Sequence, residues 1–311
     1  MSVPPTLEID LETEVDHAGK AAQEISEEYP LSRAAQGDAP NWTNILFMIL
    51  FHGASIAALF FFTWQAAAVA LALWFVTIYV GIGIGYHRLL THRGFKVSAP
   101  LKWLLAICGT LALEGGPIFW VVNHRIHHRY TDKLGDPHTP EEGGWWSHAG
   151  WVLHGTGLSG QPQLLAKYAP DLLADRFLVR ISKYHWLPLA VLAVALFAMG
   201  GWPWLLWGIF VRVTLGLHAV WFVNSATHMW GSRRFETRDE SRNLWWVALM
   251  TGGEGWHNNH HAHPVSARHG LAWYEVDPNY YGIWLLKKLG LATQVKLAQY
   301  DPANPRPAGA A

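Results

Sequence analysis

One cysteine, Cys108, stands in a chain of 311 residues, which excludes an internal disulfide and any cage of thiolates around a metal. Charge is scarce as well. Asp, Glu, Lys and Arg make up 15% of the chain, against roughly 25% in globular proteins, and acids and bases cancel to a net charge of zero. That balance gives no electrostatic case for a nucleic-acid partner. Internal repeats are absent, and no serine or cysteine nucleophile arrangement stands out. Ser225 precedes His228 by one turn, but no dedicated carboxylate accompanies the pair. The run Gly81-Ile-Gly83-Ile-Gly85 does not follow a strand, so helix packing at small residues explains it better than a dinucleotide loop.

The longest absence runs from Ala39 to Tyr86, 48 residues without one Asp, Glu, Lys or Arg. A single span needs about 20 apolar residues, so this stretch predicts two spans, near 43–62 and 66–86, with a turn near Thr63-Trp64-Gln65. A second uncharged run begins at Tyr184, turns at Gly200-Gly201-Trp202-Pro203 and carries only Arg212. It predicts spans near 186–199 and 204–227, with Arg212 facing the bundle or snorkelling. Nineteen tryptophans fit a chain with membrane interfaces to mark.

Basic residues set the orientation. Eleven lie in the 87–183 loop, nine in the 233–311 tail and none at the hairpin tips. The positive-inside rule therefore predicts that both large polar segments and both termini are cytoplasmic. The apolar stretch Lys102–Val122 contains Glu114 and the breaker Gly115-Gly116-Pro117, and it is expected to lie at the interface or re-enter. The expectation is an all-α integral membrane protein with four transmembrane helices, interfacial helices and a cytosolic helical cap carrying a di-metal site. Its parts are a disordered acidic tail over 1–40, a membrane domain over 41–295 and a flexible tail over 296–311. No basic stretch leads into an apolar core at the N-terminus, so no signal peptide is expected.

Histidine is in excess. Eight of the 18 fall in three clusters: His87 and His92; His124, His127 and His128; His257, His260 and His261. Imidazole is the commonest neutral metal ligand, and sites take about four ligands, so eight rings ask for two metals. Residues i, i+3 and i+4 share a helix face, so each His-x-x-His-His cluster can converge. His87 and His92 are about 140° apart on an α-helix and need a helix end or bend between them. His228 closes the fourth span as a ninth ligand, and Asn224, one turn earlier, can bind directly or hold a water. Asp132, Asp136, His138 and Glu254 are candidate partners for the outer ring nitrogens. His52, His154, His185 and His218 read as structural or surface residues, and His148 and His269 as neighbours of the clusters.

The segments Gly85–Phe95, His124–His128 with Asp136-Pro-His138, Trp145–Trp151, Asn224–His228 and Gly253–His261 resemble the integral-membrane fatty acid desaturases of the Δ9 type, over roughly residues 43–295. That resemblance implies a cytosolic site of two Fe ions held by the three boxes and His228, with Asn224 acting through water. It implies an O2-dependent enzyme that places a cis double bond in a saturated acyl chain carried on lipid or CoA. Electrons would come from a separate ferredoxin or cytochrome b5 with its reductase. Two positions depart from the family pattern: Glu114 stands where Gln is usual, and Phe119 where Glu is usual. Phe75 and Leu71 are expected to set how deep the chain threads. The rival readings are a membrane di-iron hydroxylase, which would retain a hydroxyl on its product, and a histidine-lined metal transporter, which would place ligands within the spans.

Overall fold

The computed structural model describes residues 29, 31–155, 157–158 and 161–299. Most of the expected acidic tail therefore lies outside the described residues, as does 300–311. Its inner part does not behave as a tail. Leu31 and Ser32 are buried, and Pro40 bridges to His154. At the other end, the Lys296 N–H donates to Gly94 O at 2.8 Å, so the chain is still tethered at a point where a free tail was expected.

Helices dominate. Helix α1 (Trp42–Ala58) starts at Asn41, whose side chain accepts from Asn44 N at 3.2 Å, and tightens into a 3₁₀ turn at Leu59–Phe61. Thr63 caps α2 (Trp64–Trp74) in the same way, accepting from Ala66 N at 3.1 Å, which seats the expected hairpin turn. Beyond Trp74 the chain widens into a π-helix, Phe75–Thr91. Helices α3 (Ala99–Thr110) and α4 (Pro117–Tyr130) follow, then the short amphipathic α5 (Arg176–Lys183). The second apolar region is α6 (Leu187–Leu205), a π segment at Leu206–Val211, α7 (Arg212–Asn224) and α8 (Ala226–Met229). Helices α9 (Trp245–Thr251), α10 (His257–Ala262) and α11 (Pro278–Lys288) complete the helical body, and one small antiparallel pair joins Lys96–Val97 to Ala292–Thr293.

Among the described residues, three helical stretches are long and apolar enough to cross a membrane: Trp42–Phe61, Trp64–Thr91 and Leu187–Met229. Their large side chains, such as Leu46, Ile49 and Phe60, point outward. Apolar groups turned out in this way fit a lipid solvent rather than water. The third stretch runs 43 residues and is broken at Gly201, whose φ of 61° and ψ of −153° are not helical. Helix α3, at 12 residues, is too short to cross, and the chain reverses after it through Leu113 and Gly115, both at positive φ.

Two features position the site. Gly81 and Gly85 let the π-helix lie directly on α3, since a Cβ on Gly81 would fall 2.5 Å from the Cys108 carbonyl carbon. Arg212 is buried, and its guanidinium donates to Gly208 O at 3.0 Å and Leu111 O at 2.5 Å. Leu111 ends α3, so the cation meets the negative end of that helix and ties it to α7.

Candidate metal centre

The nine sequence-predicted histidines come together as two groups. The ring nitrogens of His87, His92, His124, His128 and His260 lie within 4.8 Å of one another, and so do those of His127, His228, His257 and His261. Neither His-x-x-His-His box converges on one point, as the sequence reading had allowed. On α4, His124 and His128 turn to the five-ring group while His127 turns to the other. On α10 the pattern is reversed: His257 and His261 enter the four-ring group, and His260 crosses over. The reason is angular. Positions i and i+4 differ by about 40° on an α-helix, whereas i+3 and i+4 differ by about 100°.

The π-helix ends at Thr91 and His92 caps it, so the helix end that the spacing of His87 and His92 demands lies between them. The π-helix closes i→i+5 turns, and the last one is made by the ligand residues themselves, His92 N–H donating to His87 O at 3.1 Å. One wide turn thus brings the two rings to 4.8 Å between centroids.

Nitrogen geometry suits cations. Nε2 of His260 lies 3.1 Å from Nε2 of His87 and 3.0 Å from that of His128, which is 3.1 Å from Nε2 of His124. In the other group, His257 Nε2 lies 2.9 Å from His228 Nε2. Metal–imidazole bonds of about 2.1 Å set neighbouring ligand nitrogens roughly 3 Å apart. Carboxylates behind the rings fix which nitrogen faces inward. His87 Nδ1 donates to Glu254 Oε2 (2.5 Å), His127 Nδ1 to Asp136 (3.0 Å), His228 Nδ1 to Asp132 (2.9 Å) and His261 Nδ1 to Asp239 (2.9 Å). The Nε2 lone pairs therefore converge, and without a cation they would repel. His92 Nε2 and His261 Nε2 are buried with no hydrogen-bond partner among the described residues. These residues fit a metal.

Electrostatics agree. Burial, reinforced by neighbouring rings, pushes His92, His124, His128, His257 and His260 well below the ordinary imidazole range, which keeps them in the neutral, metal-binding form. Burial alone would raise the Glu254 carboxyl, but Arg88, ahead of His87 and His269, holds it well below its usual value. Arg88 is fully buried between Glu254 (3.0 Å) and Asp277 (2.9 Å), and Asn279 Nδ2 donates to Glu254 Oε1 at 2.7 Å. This network holds the acceptor for His87 in place. Of the expected outer partners, Asp132, Asp136 and Glu254 contact ring nitrogens directly. His138 packs its ring 4.4 Å from that of His127, and its backbone N–H donates to Asp136 Oδ1.

Sequence reasoning missed Asp239. It sits 22 residues before His261 in an irregular loop, and no local spacing marks it. A carboxyl in the polar stretch between His228 and the third box was the one available signal. The depth-setting residues were misplaced. Phe75 is 54% exposed and Leu71 71% exposed, so both face outward. A narrow cavity beside the rings is lined instead by Ile78, Ile82, Val220 and Val223, with His87, His124 and Asn224 at its polar end. Its roughly 30 Å³ holds little more than a water or two. Of the two departing positions, Glu114 accepts from Trp120 Nε1 at 2.8 Å, and Phe119 sits one turn before Asn123 with an exposed ring.

Comparison with known proteins agrees with the geometry. The family model described as fatty acid desaturase matches residues 62–284. The chain is 43% identical over 263 residues to an sn-2 palmitoyl-lipid 9-desaturase of Nostoc sp., covering 84% of this chain and 92% of that one. It is 45% identical over 260 residues to an sn-1 stearoyl-lipid 9-desaturase of Synechocystis sp., covering 83% and 81%. It is also 41% identical over 265 residues to an acyl-CoA C20 Delta5-desaturase of Anemone leveillei, covering 83% of each.

Proposed function

The chain belongs to the fatty acid desaturase family and is an enzyme that desaturates fatty acids; from that premise we propose that it places a cis double bond at Δ9 in a saturated acyl chain esterified to membrane lipid. The observation that carries this reading is the paired histidine groups, with His87 and His124 of the five-ring group at the polar end of an apolar cavity. The choice of position and carrier follows the Nostoc and Synechocystis relatives, both named for Δ9 action on lipid.

In this reading each group holds one iron. The five-ring group takes the first through His87, His92, His124, His128 and His260. The four-ring group takes the second through His127, His228, His257 and His261, with Asn224 completing it through a water. Bound iron supplies O2 activation strong enough to attack unactivated C–H bonds. The protein's own part is orientation and exclusion. Asp136, Asp132, Asp239 and Glu254 hold the rings with Nε2 inward. Ile78, Ile82, Val220 and Val223 keep water from the bond to be oxidised and hold two neighbouring carbons against the site, and the cavity widens to admit the chain.

The same proposal includes four spans, with Gly201 dividing the last apolar stretch into two, and the metal centre and both termini on the cytoplasmic side. Electrons arrive there from a separate ferredoxin or cytochrome b5. The test is expression in an aerated host lacking unsaturated lipids, with double bonds mapped by mass spectrometry in lipid and CoA fractions. A Δ9 alkene arising in glycerolipid, and lost in His127→Ala, is the expected result. A retained hydroxyl, a different bond position or an alkene formed only on CoA would overturn it.

A further inference from the structure

Three histidines outside the metal groups form a single hydrogen-bonded line: His52 and His218, which the sequence marks as structural or surface residues, and His148, which it places near the clusters. His52 Nδ1 lies 2.7 Å from Met48 O, and His52 Nε2 lies 3.0 Å from His218 Nε2. His218 Nδ1 lies 2.9 Å from His148 Nε2, and His148 Nδ1 lies 3.1 Å from Ser225 Oγ. The three rings come from α1, α7 and the short turn Trp146–Gly150, and each is half-buried. His218 uses a different nitrogen toward each neighbour, so the arrangement is a line rather than a chelate. Among the described residues no hydrogen bond joins any of the three rings to a carboxylate, in contrast to four of the metal-group rings.

Counting protons gives the line a direction. A carbonyl only accepts, so His52 must carry its proton on Nδ1, which leaves Nε2 bare. His218 must then donate from Nε2 and accept at Nδ1, and His148 must donate from Nε2. In the neutral line the one free lone pair is therefore His148 Nδ1, and it faces Ser225. Ser225 Oγ already has an acceptor, Trp221 O at 2.9 Å. While the hydroxyl points there, the contact between His148 and Ser225 lacks a proton. One added proton fills it, and concerted shifts along the line spread that proton over three rings. The serine end is next to the centre: Ser225 follows Asn224, and Ser147, beside His148, donates to Asn224 O at 3.0 Å.

We propose that His52, His218 and His148 form a one-proton store that serves the metal centre through Ser225. The inference rests on the desaturase reading, whose balance requires protons. One saturated acyl chain, one O2, two electrons and two protons give one alkene and two waters. O2 is the oxidant and the external donor the reductant, and two C–H bonds break as the second C–C bond forms. His148 Nδ1 gives its proton to Ser225 Oγ as the serine proton passes to the water that Asn224 would hold, and from there to oxygen leaving as product water. The line then recovers a proton from water between turnovers. These three histidines are proton carriers and touch neither substrate nor metal.

The test uses full-length enzyme in membranes containing stearoyl glycerolipid, supplied with reduced ferredoxin. Alkene formed, O2 consumed and hydrogen peroxide released are measured together with iron content. His218→Gln keeps a donor and an acceptor between the helices but carries no transferable proton, so a purely structural role predicts a near-normal enzyme. The store predicts at least about a tenfold fall in alkene per O2, with the missing oxygen released as peroxide and iron unchanged. His148→Gln should do the same. Independently, ¹⁵N NMR of chelator-treated wild-type protein should show His52 protonated at Nδ1 and His148 taking up its next proton at Nδ1. Wild-type coupling in both variants, or a neutral His148 already protonated at Nδ1, would overturn the store. An absence of alkene from the wild-type enzyme in the same assay would strike the desaturase reading instead.

Discussion

The two histidine groups are built from the same boxes yet are supported differently. In the four-ring group, His127, His228 and His261 each lean on an aspartate, from Asp136, Asp132 and Asp239. Among the described residues, in the five-ring group only His87 has such support, from Glu254, and His260 Nδ1 is buried with no hydrogen-bond partner. One group has few rings, three of them electron-rich and tightly oriented, with His257 Nδ1 left without a carboxylate. The other has an extra ring and looser backing. Ligand number and ligand quality thus offset each other, so the same substitution should cost more in the group without a spare ring.

Removing a ring is the harshest way to break this comparison. His257→Ala leaves the four-ring group with three, and alkene formation is expected to fall by more than about a thousandfold, with roughly half the metal lost on purification. His92→Ala leaves four rings in its group and should retain more metal and more activity. Equal losses in both would show that the groups do not differ. A gentler probe targets the backing alone. Asp239→Asn should weaken metal binding by about 10–100-fold in the four-ring group, visible as the first site emptied in a chelator titration.

The apolar side can be tested apart from both groups. Val223→Phe fills the cavity and is expected to lower turnover about tenfold with metal content unchanged, whereas Phe75→Ala, facing outward, should leave product chain length as it was. The smallest effect concerns the scaffold. Burial raises the Asp171 carboxyl, but Arg125, ahead of Arg93, outweighs this and holds it below its ordinary value. A carboxyl depressed on folding stabilises the fold above its unfolded pKa, and that contribution is lost as pH falls through the folded value. Asp171→Asn should therefore destabilise the fold at pH 7 by about 1 kcal/mol or less, read as a slightly lower thermal midpoint. The difference from wild type should shrink as pH falls through the depressed folded-state value, below which both side chains are neutral.

Much of the centre was legible because it was written in local spacing. The eight box histidines, His228 and the hairpin turn at Thr63 follow from clusters and uncharged runs that need no tertiary knowledge. The division of each box between two groups was hidden, because sharing a face is a coarser condition than sharing a point. Asp239 was illegible, since a loop far along the chain folds back to reach His261. The error at Phe75 and Leu71 has a single cause. A π-helix turns in about 4.4 residues, so Ile82 and Ile78, at steps of five and nine from His87, come onto its face. An α-helical count misses them. The line from His52 to Ser225 was hidden because its members are scattered over 174 positions and each looks solitary.

The wide helix Phe75–Thr91 also constrains what insertions and deletions this chain can tolerate. Deleting one residue between His87 and His92 would let an ordinary α-turn bring both rings to the same face, so the ligand pair itself could survive. Arg88 could not, because it is locked between Glu254 and Asp277 in the present register. The length of that five-residue step is therefore guarded less by the metal-binding rings than by the arginine standing between them.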